Sequence, residues 1–212
     1  ADKTRLCKLL GDFSGCLFRQ GPTNLADGRY DYMLGNYQIL LADADGQTLF
    51  SLIFMDSGEK GKKGDGRHAT FTDSQVAWYE WLVNGTNADA GKTVKSMAFF
   101  HIPLPEYAEA EADGKNPLLG SKGENVSCPR LNSGMFTAIK EQGDVIATFC
   151  GHDHDNDFAV MHKDILLAYG RFSGGNTIYN HLRPNGARVI VLKENQRTFD
   201  TWVRLRLSLI HI

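Results

Sequence analysis

The chain has 212 residues, of which 42% are hydrophobic and 23% charged, with a formal net charge of −2. This is the balance of a globular chain long enough to bury one sizeable core. It gives no general affinity for nucleic acid or an anionic membrane, and no apolar run approaches the ~20 residues of a membrane-spanning helix.

Residues 5–10 predict a short helix, with leucines at 6, 9 and 10. Gly21-Pro22-Thr23-Asn24 is a turn cluster. Residues 36–42 and 48–55 predict two strands around the hairpin turn Asp43-Ala44-Asp45-Gly46, the second apolar enough to be covered on both faces. The Lys/Gly-rich stretch 59–67 reads as a solvated basic loop rather than a phosphate-recruiting flap. Thr72-Asp73-Ser74-Gln75 is a capping-box sequence. It opens a helix that carries Trp78, Trp81 and Leu82 towards the core and stops at Asn84-Gly85.

Residues 95–101 predict a buried strand that ends in His101, with Pro103 preventing easy continuation. Residues 105–112 read as a short helix started by proline, with Glu106, Glu109 and Glu111 on an exposed face. The polar, Gly-rich stretch 113–128 is a long loop of the kind that borders a site. Met135, Phe136 and Ile139 mark a short amphipathic helix ended by Gly143. Strands follow at 145–150, 165–169, 187–192 and 197–203, the last two as a hairpin around Glu194-Asn195. This order predicts a layered α/β sandwich of two sheets with helices outside.

Four cysteines, Cys7, Cys16, Cys128 and Cys150, show no metal-knuckle or redox spacing. Cys150 reads as a small core residue, and Cys7 with Cys16 could pair in an oxidising compartment. The first residue, Ala1, is not an initiator methionine, so a processed or partial chain is expected.

The strongest chemical signal is the apolar strand 145–150 running into Gly151-His152-Asp153-His154. In an extended backbone residues two apart share a face, so His152 and His154 are expected to project together. Two neutral imidazoles at a strand end suit zinc, iron or manganese. His101 repeats the design at the end of the earlier strand. Lone histidines such as His68, His162 and His181 read as structural or exposed. Asp153, Asp155, Asn156 and Asp157 are candidate acceptors for the ligands' outer nitrogens, or else cap the next segment.

These residues together resemble the C-terminal half of a calcineurin-like metallophosphoesterase of the purple-acid-phosphatase-like branch. The flanks that carry the resemblance are Phe100-His101-Ile102-Pro103-Leu104-Pro105-Glu106-Tyr107, Cys150-Gly151-His152-Asp153-His154-Asp155-Asn156-Asp157, Tyr169-Gly170-Arg171 and Gly186-Ala187-Arg188-Val189-Ile190. The resemblance runs from Gly21 to about Arg204. It implies the C-terminal half of an α-β-β-α sandwich over residues 1–206, with 207–212 as a possibly non-native tail. It also implies two divalent or trivalent ions of the Fe, Zn or Mn class, about 3.5 Å apart, that bind phosphoester oxygens and generate hydroxide. His101 and His152 would hold one ion and His154 the other.

The family's earlier Asp-x-His, Gly-Asp-x-x-Asp and Gly-Asn-His motifs are missing. Gly11-Asp12-Phe13-Ser14-Gly15 and Gly35-Asn36-Tyr37 are the nearest approaches. The expectation is a fragment beginning after those motifs and inactive alone. The alternatives are a degenerate, non-catalytic metal-binding or interaction module, and a mononuclear histidine site on an unrelated fold. The resemblance favours a secreted or periplasmic setting.

Overall fold

The structure is a computed structural model that describes residues 3–21, 34–58, 68–175, 179–194, 196 and 198–206. The basic loop 59–67, the tail 207–212 and most of the turn cluster at 21–24 lie outside the described residues.

The helix α1 (Lys3–Asp12) forms as predicted, but its leucine stripe faces outward: Leu6 is 50% exposed and Cys7 is the buried residue. Strands β1 (Tyr37–Ala42) and β2 (Thr48–Phe54) pair antiparallel through the predicted turn, where the Asp43 carboxylate accepts from the backbone of Asp45 and Gln47. None of the four cysteines is in a disulfide.

The helix α2 (Asp73–Ala90) opens with the predicted capping box. Such a cap contributes about 1 kcal/mol. The helix does not stop at Asn84-Gly85. It runs on to Ala90 and is capped by Gly91, whose φ of +61° makes the left-handed cap that glycine adopts without strain. An internal glycine costs only ~1 kcal/mol, and packing of the helix against the sheet outweighs it. Trp78 and Leu82 pack on the core, whereas Trp81 is 70% exposed and does not.

After β3 (Lys95–Phe99) come α3 (Pro105–Asp113), α4 (Met135–Gln142) and β4 (Val145–Cys150). The sequence reading missed β5 (Ala159–His162), which turns back through Lys163-Asp164 into β6 (Ile165–Tyr169). A final hairpin joins β7 (Gly186–Leu192) to β8 (Phe199–Leu205), two residues later than predicted at its second strand.

One six-stranded sheet has the order β1-β2-β3-β4-β6-β5, with β2, β3, β4 and β6 parallel. Residues of α2, α3 and α4 pack on one face around Ile53, Ala98 and Leu167. The β7-β8 hairpin lies on the other, with Ile190, Leu192 and Phe199 against Phe50, Met97 and Phe149. The molecule is thus layered α/β as expected, with the second sheet represented by two strands. Among the described residues no helix is long and apolar enough to cross a membrane.

Candidate metal centre

Ligands of open α/β sheets bind beyond the carboxyl ends of parallel strands. The strands β3 and β4 are adjacent and parallel, with Phe99 opposite Phe149. The pairing continues past the ladder: Phe100 N–H donates to Phe149 C=O at 3.0 Å and Gly151 N–H to His101 C=O at 3.0 Å. Two sequence positions about fifty residues apart are therefore fixed side by side.

The expectation that His152 and His154 share one strand face is not met. Beyond Cys150 the backbone is not extended: His152 has φ of +69°, and Asp153 N–H closes a tight turn onto Gly151 C=O at 2.8 Å. A left-handed histidine costs of order 1–3 kcal/mol. The two rings take different partners, although both line one cavity.

His152 Nδ1 lies 3.2 Å from His101 Nε2, with the rings nearly perpendicular. Two nitrogens so separated, each ~2.05 Å from a common ion, subtend roughly 100° there, close to tetrahedral. The donor pair therefore fits a metal. Burial, then the nearby His154, lowers the His101 pKa, even though the His101 ring keeps an edge in solvent. Burial, then His68, does the same to His152. Both shifts favour the neutral imidazole, the form that coordinates.

His154 is held separately. Its Nδ1 donates to the Tyr179 carbonyl at 2.8 Å, so in the neutral ring Nε2 carries the lone pair. Its ring stacks on Tyr179 and leans on Phe172, with centroids 4.6 Å away in both cases. His101, His152, His154, Arg171 and Phe172 line one open cavity of about 240 Å³.

The acidic residues after the turn hold the cavity's rim. Asp153 accepts from the Tyr169 hydroxyl at 2.6 Å and from Ser127 N–H at 3.0 Å. Asp155 accepts from the backbone of His181 and Leu182 and from the His181 ring, which depresses the Asp155 pKa against the opposing effect of burial. Asn156 Oδ1 accepts from Gly123 and Glu124 N–H, and Asp157 accepts from Ser121 N–H and Arg171. The loop 113–128 thus borders the site as predicted. It packs so closely that a Cβ on Gly123 would stand 2.7 Å from Asp155 C=O. Glu124 takes the Tyr179 hydroxyl at 3.1 Å and the Asp155 N–H at 2.8 Å, tying this loop to the His154 support.

Arg171 faces the cavity by position but not by chemistry. Its three guanidinium nitrogens donate to Asp157 and to the carbonyls of Leu182 and Pro184. It holds loop 179–185 and has no donor directed at an anion among these contacts.

Two readings of individual residues are corrected. His68 is not isolated: its Nε2 is 3.3 Å from His152 Nε2. Glu106 is buried rather than exposed and accepts from Asn132 at 2.7 Å. Glu109 and Glu111 lie beside Lys163 and Lys122. Among the described residues, no group of three or more His, Cys, Asp or Glu side chains is arranged to hold one ion.

The chain is thus a layered α/β sheet whose adjacent parallel strands end in paired imidazoles, and comparison with known proteins places it among relatives. No protein-family model matches. The chain is 33% identical over 183 residues to Probable inactive purple acid phosphatase 28 of Arabidopsis thaliana, covering 82% of this chain and 44% of that protein. It is 39% identical over 127 residues to Phosphatase DCR2 of Saccharomyces cerevisiae, covering 54% of this chain and 21% of that protein. A dimetal phosphatase from Danio rerio superposes with a TM-score of 0.42 at 10% identity, over 64% of this chain and 49% of that one. Over 79–82% of its length the chain matches purple-acid-phosphatase-like proteins. It spans less than half the length of the Arabidopsis relatives it matches.

Proposed function

We propose that this chain supplies part of a dinuclear metal centre that hydrolyses phosphoester bonds, with His101 and His152 as ligands of one ion and His154 of the other. The observation that carries the reading is the 3.2 Å convergence of His152 Nδ1 and His101 Nε2 at the ends of adjacent parallel strands. Bound ions would supply charge to hold phosphoryl oxygens and to lower the pKa of a water. The chain's own residues do the positioning. The left-handed turn at His152 aims Nδ1, the Tyr179 carbonyl aims His154 Nε2, and the loops anchored by Asp153, Asp155 and Asp157 shape the rim. Catalytic zinc sites usually keep three protein ligands. Two histidines for one ion and one for the other therefore bind weakly, and the chain alone should turn over little.

A second reading, a non-catalytic metal-binding or interaction module, is favoured by the word "inactive" in the names of the Arabidopsis relatives. Titration with Zn²⁺ or Co²⁺, followed by p-nitrophenyl phosphate hydrolysis, separates the two. The enzyme reading expects saturable binding weakened at least tenfold by His101→Ala or His152→Ala, with slow hydrolysis lost in the same variants. Slow hydrolysis that disappears together with binding rejects the non-catalytic module, and no binding by the unaltered chain rejects the metal centre.

A further inference from the structure

The His152 ring lies between two other imidazoles. Its Nδ1 faces His101 Nε2 at 3.2 Å, and its Nε2 faces His68 Nε2 at 3.3 Å. The His68 and His152 rings meet edge to face at 84°, with centroids 4.4 Å apart. Neither distance allows two N–H groups to point at each other, and a neutral imidazole has one donor nitrogen and one acceptor. The chain of three must therefore run in one direction. If His68 donates to His152, then His152 donates from Nδ1 and has no lone pair to offer where His101 converges. If His152 donates to His68, its Nδ1 is the lone-pair nitrogen, and His101 can give its Nε2 proton to it when no ion is bound. In this second direction a metal displaces only the His101 Nε2 proton, which that ring can carry on Nδ1 instead; in the first, the His152 proton would have to move to Nε2, where His68 already donates. With the ring placed between His101 and His68, the tautomer decides which nitrogen offers a lone pair.

We propose that His68 is a positioning residue that accepts the Nε2–H of His152 and so holds Nδ1 as the metal-facing lone pair. The inference rests on the metal reading above. It assigns a role to a residue 84 positions upstream of His152 whose sequence surroundings carry no motif. Partners of this kind fix the ligand's tautomer and orientation, and losing one typically costs about 10–100-fold in metal affinity.

The test uses the full chain, with Co²⁺ as the probe followed by visible absorption, together with ¹⁵N detection of the His152 tautomer in the metal-free protein. The expected results are an Nε2–H tautomer in the unaltered chain, Co²⁺ binding about 10–100-fold weaker in His68→Phe, and binding within about threefold of normal in His68→Gln, whose amide oxygen can accept. Phe retains a ring without an acceptor, so unchanged binding in His68→Phe overturns the inference while leaving the metal centre intact. An equal loss in His68→Gln and His68→Phe reduces His68 to packing and also overturns it. An Nδ1–H tautomer in the unaltered chain does the same without any variant having to fold. Failure of the unaltered chain to bind Co²⁺ removes the metal reading and this inference together.

Discussion

At the scale of single residues, the three candidate ligands were legible because each follows an apolar run that needs no partner to be read as a strand. His68 was not, because nothing local distinguishes a histidine that meets its partner only through tertiary structure. Asp144 shows the same limit. It is fully buried beside β4, takes the Tyr79 hydroxyl on one oxygen, and leaves its other oxygen without a partner among the described residues. Burial raises its pKa, with the Tyr79 hydrogen bond opposing. A carboxyl whose folded-state pKa exceeds its unfolded value stabilises fully below the unfolded value, about 4, and loses that stabilisation as pH rises through the folded one. Denaturant midpoints of the unaltered chain and Asp144→Asn, measured at pH 4 and pH 7, should therefore diverge. The unaltered chain should lose ground to the variant as pH rises, because the amide has no proton to release. A difference independent of pH would show that Asp144 ionises without penalty.

At the scale of elements, the segment after β4 is tied down by a buried ion pair. Arg171 and Asp157 are both buried and bridged at 2.7 Å, and the arginine also binds two loop carbonyls. Removing one partner of a buried pair leaves an uncompensated charge, at about 3–5 kcal/mol. Arg171→Ala should lower the unfolding free energy by that amount in urea titrations, and weaken the hold of loop 179–185 on His154. A cost below about 1 kcal/mol would mark the pair as effectively solvated. The strands β1 to β4 and helices α3 and α4 were readable because periodicity, caps and turn residues agree there. The β5-β6 hairpin was not. Its strand has four residues, and its two-residue turn is Lys163-Asp164, both at positive φ, where Asn-Gly would have announced the turn. The end of α2 was misread because Asn-Gly is a stop signal only where tertiary contacts do not carry the helix through it. Glu106 was misread because a helix's acidic face says nothing about a partner such as Asn132 on a distant loop.

At the scale of the whole molecule, the sheet is covered unequally. Parallel strands are normally buried on both faces. Among the described residues the helices α2, α3 and α4 cover one face, and the other carries the β7-β8 hairpin together with Phe18 against Tyr37. On that second face Tyr37, Phe54, Phe99 and Phe149 stack across four neighbouring strands, with centroids 4.6, 4.9 and 5.2 Å apart. Offset aromatic stacking is worth ~0.5–1.5 kcal/mol per pair beyond area burial, so the row holds β1 to β4 in register. Yet Tyr37, Ile39, Leu41, Leu52, Phe54 and Phe99 all remain half-buried rather than buried. This meets only partly the expectation that β2 is covered on both faces. A contiguous apolar surface of this kind binds hydrophobic dyes and promotes association. The folded chain should accordingly enhance the fluorescence of 8-anilinonaphthalene-1-sulfonate at neutral pH. Ile39 and Leu52 stand directly opposite each other on this face. Threonine is a β-branched strand former, so replacing both with it removes apolar area while preserving strand propensity, and dye binding should fall with little change in far-ultraviolet circular dichroism. Dye binding that survives the double substitution would place the exposed apolar surface elsewhere, with the outward leucines of α1 the next to test.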